Sequence, residues 1–194
     1  MSQNTNNTQQ TLVLTKVRLS FPNVFKPKAF EDGGEPKYSA AFLLDKQGHA
    51  KEISAIRAAA KTVAEEKWGK GKVPSSVKYC LRDGAEKSET DGYGESVMFI
   101  STSSARKPAV VDKDKVTPLD GEDGRPYAGC YVHACIRLWA QDNKFGKRVN
   151  AELKAVMFAK DGDPFGDKPV NTADAFAGVT AEDDLNDEAK GLIG

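Results

Sequence analysis

The feature that most constrains the fold of this chain is a long run of alternating side chains at residues 127–140. One parity is small or apolar throughout: Ala128, Cys130, Val132, Ala134, Ile136 and Leu138. The other parity carries Tyr131, His133, Cys135, Arg137 and Trp139. Because successive side chains of a strand point to opposite faces, the first set predicts a core face and the second an outward face.

Other segments with β-branched and aromatic residues predict further strands. They are residues 11–21, 38–44, 77–82, 97–102 and 148–160. In the first of these, Val13 and Phe21 are expected on the same buried face as Val17 and Leu19, and Pro22 is expected to end the strand. Residues 141–146 predict a hairpin between the last two strands.

One helix is predicted, at residues 50–68. Ile53, Ile56, Ala60 and Val63 recur at helical spacing, and Gly69 supplies a stop. Residues 83–94 and 116–125 are rich in turn formers and predict loops. Six strands and one helix predict a mainly β protein, a small barrel or sandwich carrying one substantial helix.

The charges are sorted along the chain. It has 28 Lys and Arg residues against 28 Asp and Glu residues. Residues 161–194 contain nine acidic and two basic side chains, a net charge of −7, which leaves +7 on residues 1–160. A basic body with an acidic tail predicts a polyanionic partner and a tail that can imitate it. The alternative is a tail that only adds solubility.

This composition divides the chain into three parts: a disordered N-terminal arm (residues 1–10), one domain (11–177) and a disordered acidic tail (178–194). The tail acids are Glu182, Asp183, Asp184, Asp187 and Glu188. Such a segment cannot bury enough apolar surface to order itself. It is expected either to dock on proteins and compete for a basic groove or to be a frayed terminus.

No apolar run reaches membrane-spanning length and the N-terminus has no signal-peptide pattern, so a cytoplasmic protein without a membrane partner is expected. The three cysteines do not make a disulfide framework. Cys130 and Cys135 are an odd number of residues apart and therefore lie on opposite strand faces, which disfavours a shared metal ion. No metal or cofactor is expected.

The outward face of residues 127–140 has the chemistry that binds single-stranded nucleic acid. Aromatic rings stack on bases, and Lys and Arg bind phosphates. The candidate DNA-binding residues are Arg18, Phe25, Lys26, Lys28, Lys37, Arg82, Arg106, Lys107, Tyr131, His133, Arg137, Trp139, Lys144, Phe145, Lys147 and Arg148. The alternative is that this face packs beneath a second layer of core.

Catalysis is not expected, since no phosphate-binding loop, zinc-protease helix or nucleophile elbow occurs. The acids Asp112, Asp114, Asp120, Glu122 and Asp123 leave one enzymatic alternative, a metal-dependent nuclease. A solvated loop is the simpler interpretation, because lysines interrupt these acids.

Residues 18–25 (RLSFPNVF), 37–44 (KYSAAFLL) and 126–132 (PYAGCYV) together resemble the phage-type single-stranded-DNA-binding proteins. The resemblance implies an OB-fold barrel of five to six strands, sequence-tolerant binding of single-stranded DNA and no catalysis. It also implies a role in phage DNA replication and recombination, with the acidic tail recruiting proteins of those processes. The C-terminal residues Lys190 to Gly194 depart from the Phe-terminated tip of bacterial counterparts.

The sequence is also compatible with two further alternatives. One is a phage structural or host-interaction protein that binds no DNA, and the other is a strand-annealing protein. A tail able to reach a neighbour's groove is also compatible with a homodimer.

Overall fold

The architecture is a β-barrel with one helix and short extra strands at its rim. The computed structural model describes residues 10–29, 34–166 and 176–178. In chain order the elements are β1 (Gln10–Lys28), β2 (Lys37–Asp45), α1 (Ala50–Trp68), β3 (Lys78–Tyr79), β4 (Leu81–Asp83), a 3-10 helix (Gly84–Lys87), β5 (Val97–Ser104), β6 (Ala109–Val111), β7 (Tyr131–Asn143) and β8 (Gly146–Lys160).

Five strands close the barrel. β1 pairs antiparallel with β2 on one side and with β7 on the other, β2 pairs with β5, and β7 pairs with β8. A parallel contact between β5 and β8 completes the ring. This closed five-stranded barrel with one helix confirms the predicted mainly β, OB-fold-like class. The helix connects β2 with the segment that leads to β5.

The predicted core face of β7 is confirmed. Cys130, Val132, Ala134, Ile136 and Leu138 are all buried, and Ala128, which precedes the strand, is half-buried. The residues of the opposite parity are half-buried or exposed. The strand begins at Tyr131 rather than at residue 127, because the chain turns at Gly129. That glycine has a φ of 102°, and a Cβ there would lie 2.2 Å from the Asp163 carbonyl oxygen, so only glycine fits.

The helix also matches its prediction, since it spans Ala50–Trp68 and buries the four predicted positions. Of the two predicted loops, residues 83–94 contain the 3-10 helix and residues 116–125 follow β6. The sequence pattern did not predict strand β6. Residues 77–82 form two short strands separated by Cys80 instead of one. Burial raises the pKa of the Cys80 and Cys130 thiols to about 11, so both are protonated and unreactive at neutral pH.

The predicted faces of β1 are wrong at both ends. Val13 is 61% exposed and Phe21 is 54% exposed, whereas Leu14, Val17 and Leu19 are buried. The register slips between Leu14 and Val17 and again after Ser20. Lys16 (φ 52°) and Phe21 (φ 47°) have left-handed backbones at these two irregularities. Each bulge inserts a residue and exchanges the inward and outward parities.

Pro22 does not end β1, which continues to Lys28. Pairing with β7 stops at Arg18, and the remainder of the strand is paired through β2. A proline lacks the N–H donor, but on a strand that is paired along one edge that donor is not required.

Two predictions fall outside the described residues. The first is the N-terminal arm, of which only Gln10, the first residue of β1, is described. The second is the set of five acidic tail residues between positions 182 and 188, all of which lie outside the described residues. Among the helices of the described segments, none is long and apolar enough to span a membrane.

Candidate nucleic-acid interface

An open groove of about 300 Å³ crosses the outer surface of β2 and β5. Its floor consists of small side chains that face each other across the two strands, Ser39 opposite Ser103 and Ala41 opposite Ser101. The two residues of each pair lie directly opposite each other on neighbouring strands. Because all four are Ser or Ala, no large side chain interrupts this part of the surface. The floor is consequently flat and carries three hydroxyl groups.

Phe21 and Lys87 stand at one end of this floor. The Phe21 ring is more than half exposed, and its centroid lies 6.4 Å from that of the buried Tyr93. The Lys87 ammonium lies 5.7 Å from the Phe21 ring centroid, 5.7 Å from that of Tyr93 and 5.3 Å from that of Phe99. Three rings therefore hold one cation beside an exposed aromatic face.

Trp139 and two cations stand at the other end. A second cleft of about 270 Å³ shares Ser103 with the first and is lined by Lys37, Arg137 and Trp139. Trp139 is 42% exposed and pairs in register with Asn150, which lines the first cleft. We call the continuous surface from Phe21 across Ser39, Ala41, Ser101 and Ser103 to Trp139 the aromatic groove.

Arg137 is held by an acidic neighbour. Its guanidinium forms an ion pair with Glu152, the residue directly opposite on β8, and both side chains are about three-quarters or more buried. Lys154 lies 3.5 Å from the same carboxylate. Glu152 thus orients Arg137 at the mouth of the groove. Since Arg137 and Lys154 carry two positive charges against the one negative charge of Glu152, the three side chains together are positively charged.

The predicted residues Tyr131 and Arg18 lie beyond the groove, at the start of β7. Arg18 pairs with Tyr131 in register, and its guanidinium donates hydrogen bonds to the carbonyl oxygens of Gly129 (3.1 Å) and Asp163 (2.6 Å). It also lies 4.3 Å from the Phe165 ring centroid and 5.5 Å from that of Tyr131. Arg18 therefore fastens residues 161–166 to the barrel.

His133 lies between Tyr131 and the groove and is half-buried. Burial lowers the pKa of its imidazole, and the charges of Lys16 and Lys115 lower it further. The neutral ring is therefore favoured at neutral pH.

The predicted residues at the β7–β8 turn form a separate group at the hairpin tip. Phe145 is 68% exposed, with the Lys144 ammonium 5.0 Å from its ring centroid. Lys147 lies 2.6 Å from the Asp142 carboxylate, which also accepts a hydrogen bond from the Trp68 indole at 2.8 Å. These contacts lower the pKa of Asp142. Arg148 is exposed one residue further along.

The other predicted residues are dispersed. Phe25, a candidate for base stacking, lies in β1, half-buried against the core and against Gly121. Arg82 forms an ion pair with Glu86 and lies 5.3 Å from the centroid of Phe99. The remaining predicted cations are exposed on β1 and on the turn after β5: Lys26, Lys28, Arg106 and Lys107.

The structure adds groove residues that the sequence pattern missed. Phe21 was assigned to the core because the bulge beside it cannot be read from alternation. Lys87 was in a predicted loop, and the serines of the floor carry no signal of their own. The segment Ser20-Phe21-Pro22 could have suggested an irregular strand, since proline often accompanies a bulge.

Four of the five acids of the nuclease alternative accept hydrogen bonds from nearby backbone amides, Asp112, Asp114, Asp120 and Asp123. Asp114 accepts hydrogen bonds from the Val116 and Thr117 amides, and Asp123 and Asp112 form ion pairs with Arg125. Within residues 10–29, 34–166 and 176–178, no three His, Cys, Asp or Glu side chains gather in a way that could hold a metal ion.

A barrel of this topology, with an open groove on its second and third barrel strands, defines the class of oligonucleotide- and oligosaccharide-binding barrels. A profile of the family described as the Enterobacter phage Enc34 ssDNA-binding protein matches residues 10–187. The chain therefore belongs to the Enc34 family of phage single-stranded-DNA-binding proteins, which confirms the resemblance seen in the sequence. Protein p50 of Acyrthosiphon pisum secondary endosymbiont phage 1 is 40% identical over 181 residues, covering 89% of this chain and 92% of p50.

Solved structures agree with this assignment. The single-stranded DNA-binding protein from bacteriophage Enc34 in complex with ssDNA is 31% identical, with a TM-score of 0.70, over 80% of this chain and 89% of that one. The single-stranded DNA-binding protein gp2.5 of bacteriophage T7 has a TM-score of 0.55 over 90% of this chain and 96% of its own, at 14% identity. The second likeness shows a shared fold.

Proposed function

We propose that this protein binds single-stranded DNA in the aromatic groove, without sequence preference and without catalysis. The observation that carries the proposal is a flat floor of small residues with an exposed aromatic ring and cations at each end. The family supports it, because its Enc34 member is a single-stranded DNA-binding protein.

The groove explains sequence tolerance. Every base has a π-face that can stack on Phe21 or Trp139, and each stacked base contributes about 1–3 kcal/mol. Lys37, Lys87 and Arg137 lie where phosphates would pass on either side of the floor. None of these contacts reads a base edge. A duplex presents its bases already stacked and paired, so it cannot use the two rings.

The acidic tail extends this proposal to regulation and partners. Its net charge is opposite to that of the body, and the groove ends carry the cations that a carboxylate would seek. We expect the tail to compete with phosphates for the groove when DNA is absent and to recruit replication or recombination proteins when DNA displaces it. The chain would thereby protect single strands in the host cytoplasm.

A fluorescence titration tests DNA binding directly. Oligo(dT) added to the protein is expected to quench Trp139, and affinity should fall steeply between about 0.05 and 0.2 M salt because counterions are released. Trp139→Ala should weaken binding by about tenfold or more, measured by anisotropy of labelled oligo(dT), while the circular dichroism spectrum is retained. Trp139→Phe, which keeps a ring, is the matched control. Equal affinity for duplex and single strand, or no loss in Trp139→Ala, would contradict the proposal.

A further inference from the structure

The outward face of β7 continues beyond the aromatic groove toward a second group of cations. His133 lies six residues before Trp139, roughly 20 Å along the strand. It pairs with Met157 of β8, and Met157 pairs with Val111 of β6. Lys16 lies in the β1 bulge between Leu14 and Val17, the residues that pair with Ala134 and Val132 on either side of His133.

Lys115 approaches His133 from the side of β6, opposite to Lys16. It lies in the turn after β6, where its backbone N–H donates to the Asp112 carbonyl oxygen at 2.9 Å. Asp112 of this turn forms an ion pair with Arg125, and the Asp114 carboxylate, which stays ionised, accepts hydrogen bonds from the Thr117 amide and hydroxyl within the turn. Strand pairing therefore brings Lys16 from β1 and Lys115 from the turn after β6 toward His133, and the positive charges of both lysines lower the pKa of its imidazole.

The backbone at these lysines is a second, independent observation. Within the part of the chain that the structure describes, three non-glycine residues have a positive φ: Lys16, Phe21 and Lys115. This conformation is disfavoured for residues with a Cβ and tends to persist where function requires it. Phe21 is at the aromatic groove, and the other two are the exposed lysines beside His133.

We propose that Lys16, Lys115 and His133 form a distal phosphate-binding patch that receives the DNA strand after it leaves the aromatic groove at Trp139. The inference rests on the proposed function and extends it. Between the groove and the patch, the outer face carries Arg137 and Lys154 around the Glu152 carboxylate, a group with a net positive charge, and then Cys135 beside the exposed Val13. The connecting surface is therefore neutral or positive, and a single strand can follow it.

The patch predicts a dependence on oligonucleotide length. A short dT5 fills the groove alone, whereas dT12 also reaches the patch. Lys16→Gln with Lys115→Gln should lower dT12 affinity roughly tenfold at 0.1 M salt and leave dT5 affinity unchanged. Because each single-strand phosphate contact contributes about 0.7 to the salt slope, the slope for dT12 should fall by about 1.4.

Two matched variants control for net charge and folding. Lys61→Gln with Lys70→Gln removes two exposed lysines from helix α1 and the segment after it, and should leave both oligonucleotides unaffected. Lys16→Arg with Lys115→Arg keeps the charges and should retain dT12 affinity.

The possible failures can be told apart. If the wild-type protein binds neither oligonucleotide, the proposed function itself is wrong. If it binds dT5 but the Gln variant loses affinity equally for both lengths, or for neither, only the patch is disproved. If the Gln variant binds both lengths more tightly, the patch holds the acidic tail rather than DNA, and the inference is also overturned.

Discussion

At the scale of single residues, Phe21 shows how local backbone geometry exposes an aromatic ring. Ordinary alternation would bury this ring beside Leu19. Its left-handed φ and the register slip after Ser20 expose it at the edge of the groove instead. An exposed ring contributes little to folding, and under the proposed function Phe21 is available to stack on a base.

This separation of binding from stability can be measured. Phe21→Ala should weaken oligo(dT) binding by about 1–3 kcal/mol, because one stacking surface is lost, and should leave the thermal midpoint nearly unchanged. Phe99→Ala, at a fully buried position behind Lys87, should instead destabilise the fold by about 3–5 kcal/mol. A large drop in the melting temperature of Phe21→Ala would show that the ring belongs to the core.

At the scale of elements, the paired strands β2 and β5 provide the floor of the groove. Their outward positions are large where the 84–94 loop covers them, at Leu43 and Phe99, and small where the groove is open. Ser101 is exposed at the open end of this row. The change in side-chain size along one strand pair therefore determines where the groove is open, and under the proposed function this is where DNA binds.

Filling the floor should block binding. Ser101→Leu is expected to reduce affinity for oligo(dT) at least tenfold, because the added side chain occupies the space where bases lie, with little effect on unfolding by urea. Ser76→Leu, a similar change at an exposed position before β3, is the control. Unchanged binding by Ser101→Leu would place the DNA elsewhere on the barrel.

The segment after β8, residues 161–166, is held against the barrel by a small set of hydrogen bonds and ring contacts. The Tyr127 hydroxyl accepts a hydrogen bond from the Gly162 amide, and the Ala128 carbonyl accepts one from Phe165. Asp91 accepts a hydrogen bond from the Gly166 amide, and a Cβ at Gly92 would overlap the Phe165 ring. Together with Arg18, these contacts hold residues 162–166, which we call the root of the tail, against the barrel. Phe165 and Gly166 of this segment line the same cleft as Phe21.

Arg18→Gln should release this root. It removes the guanidinium from two carbonyl oxygens and from the Phe165 ring, so amide exchange at residues 162–166 should become faster while the barrel amides remain protected. Lys26→Gln, an exposed cation on the same strand, is the control. Global loss of protection would show that Arg18 stabilises the whole barrel.

At the scale of the whole molecule, the separation of charge between body and tail is the property with the widest consequence. Deleting residues 178–194 should raise affinity for oligo(dT) at low salt, because a competitor for the groove is removed. The gain should disappear at about 0.5 M salt, where such attraction is screened. Binding isotherms of the full chain and the truncated chain that coincide at low salt would argue against competition.

Much of the architecture followed from local pattern. The parities of β7, the bounds of α1 and the hairpin before β8 were all predicted, because burial on one face imposes a period that neighbouring residues display. The same reasoning brought Trp139 and Arg137 into the candidate site, and Lys37 entered it as a basic residue near a predicted strand end. The structure places these three around one cleft.

The sequence by itself determined a mainly β barrel with one helix, a basic body, an acidic tail and an outward aromatic face on β7. Only the tertiary structure decided which exposed rings share a surface. Phe21 and Trp139 are far apart in the chain, and they face one groove because the barrel closes β1 through β2, β5 and β8 to β7. Strand periodicity is a local property, whereas bulges and barrel closure depend on long-range pairing that no single segment encodes.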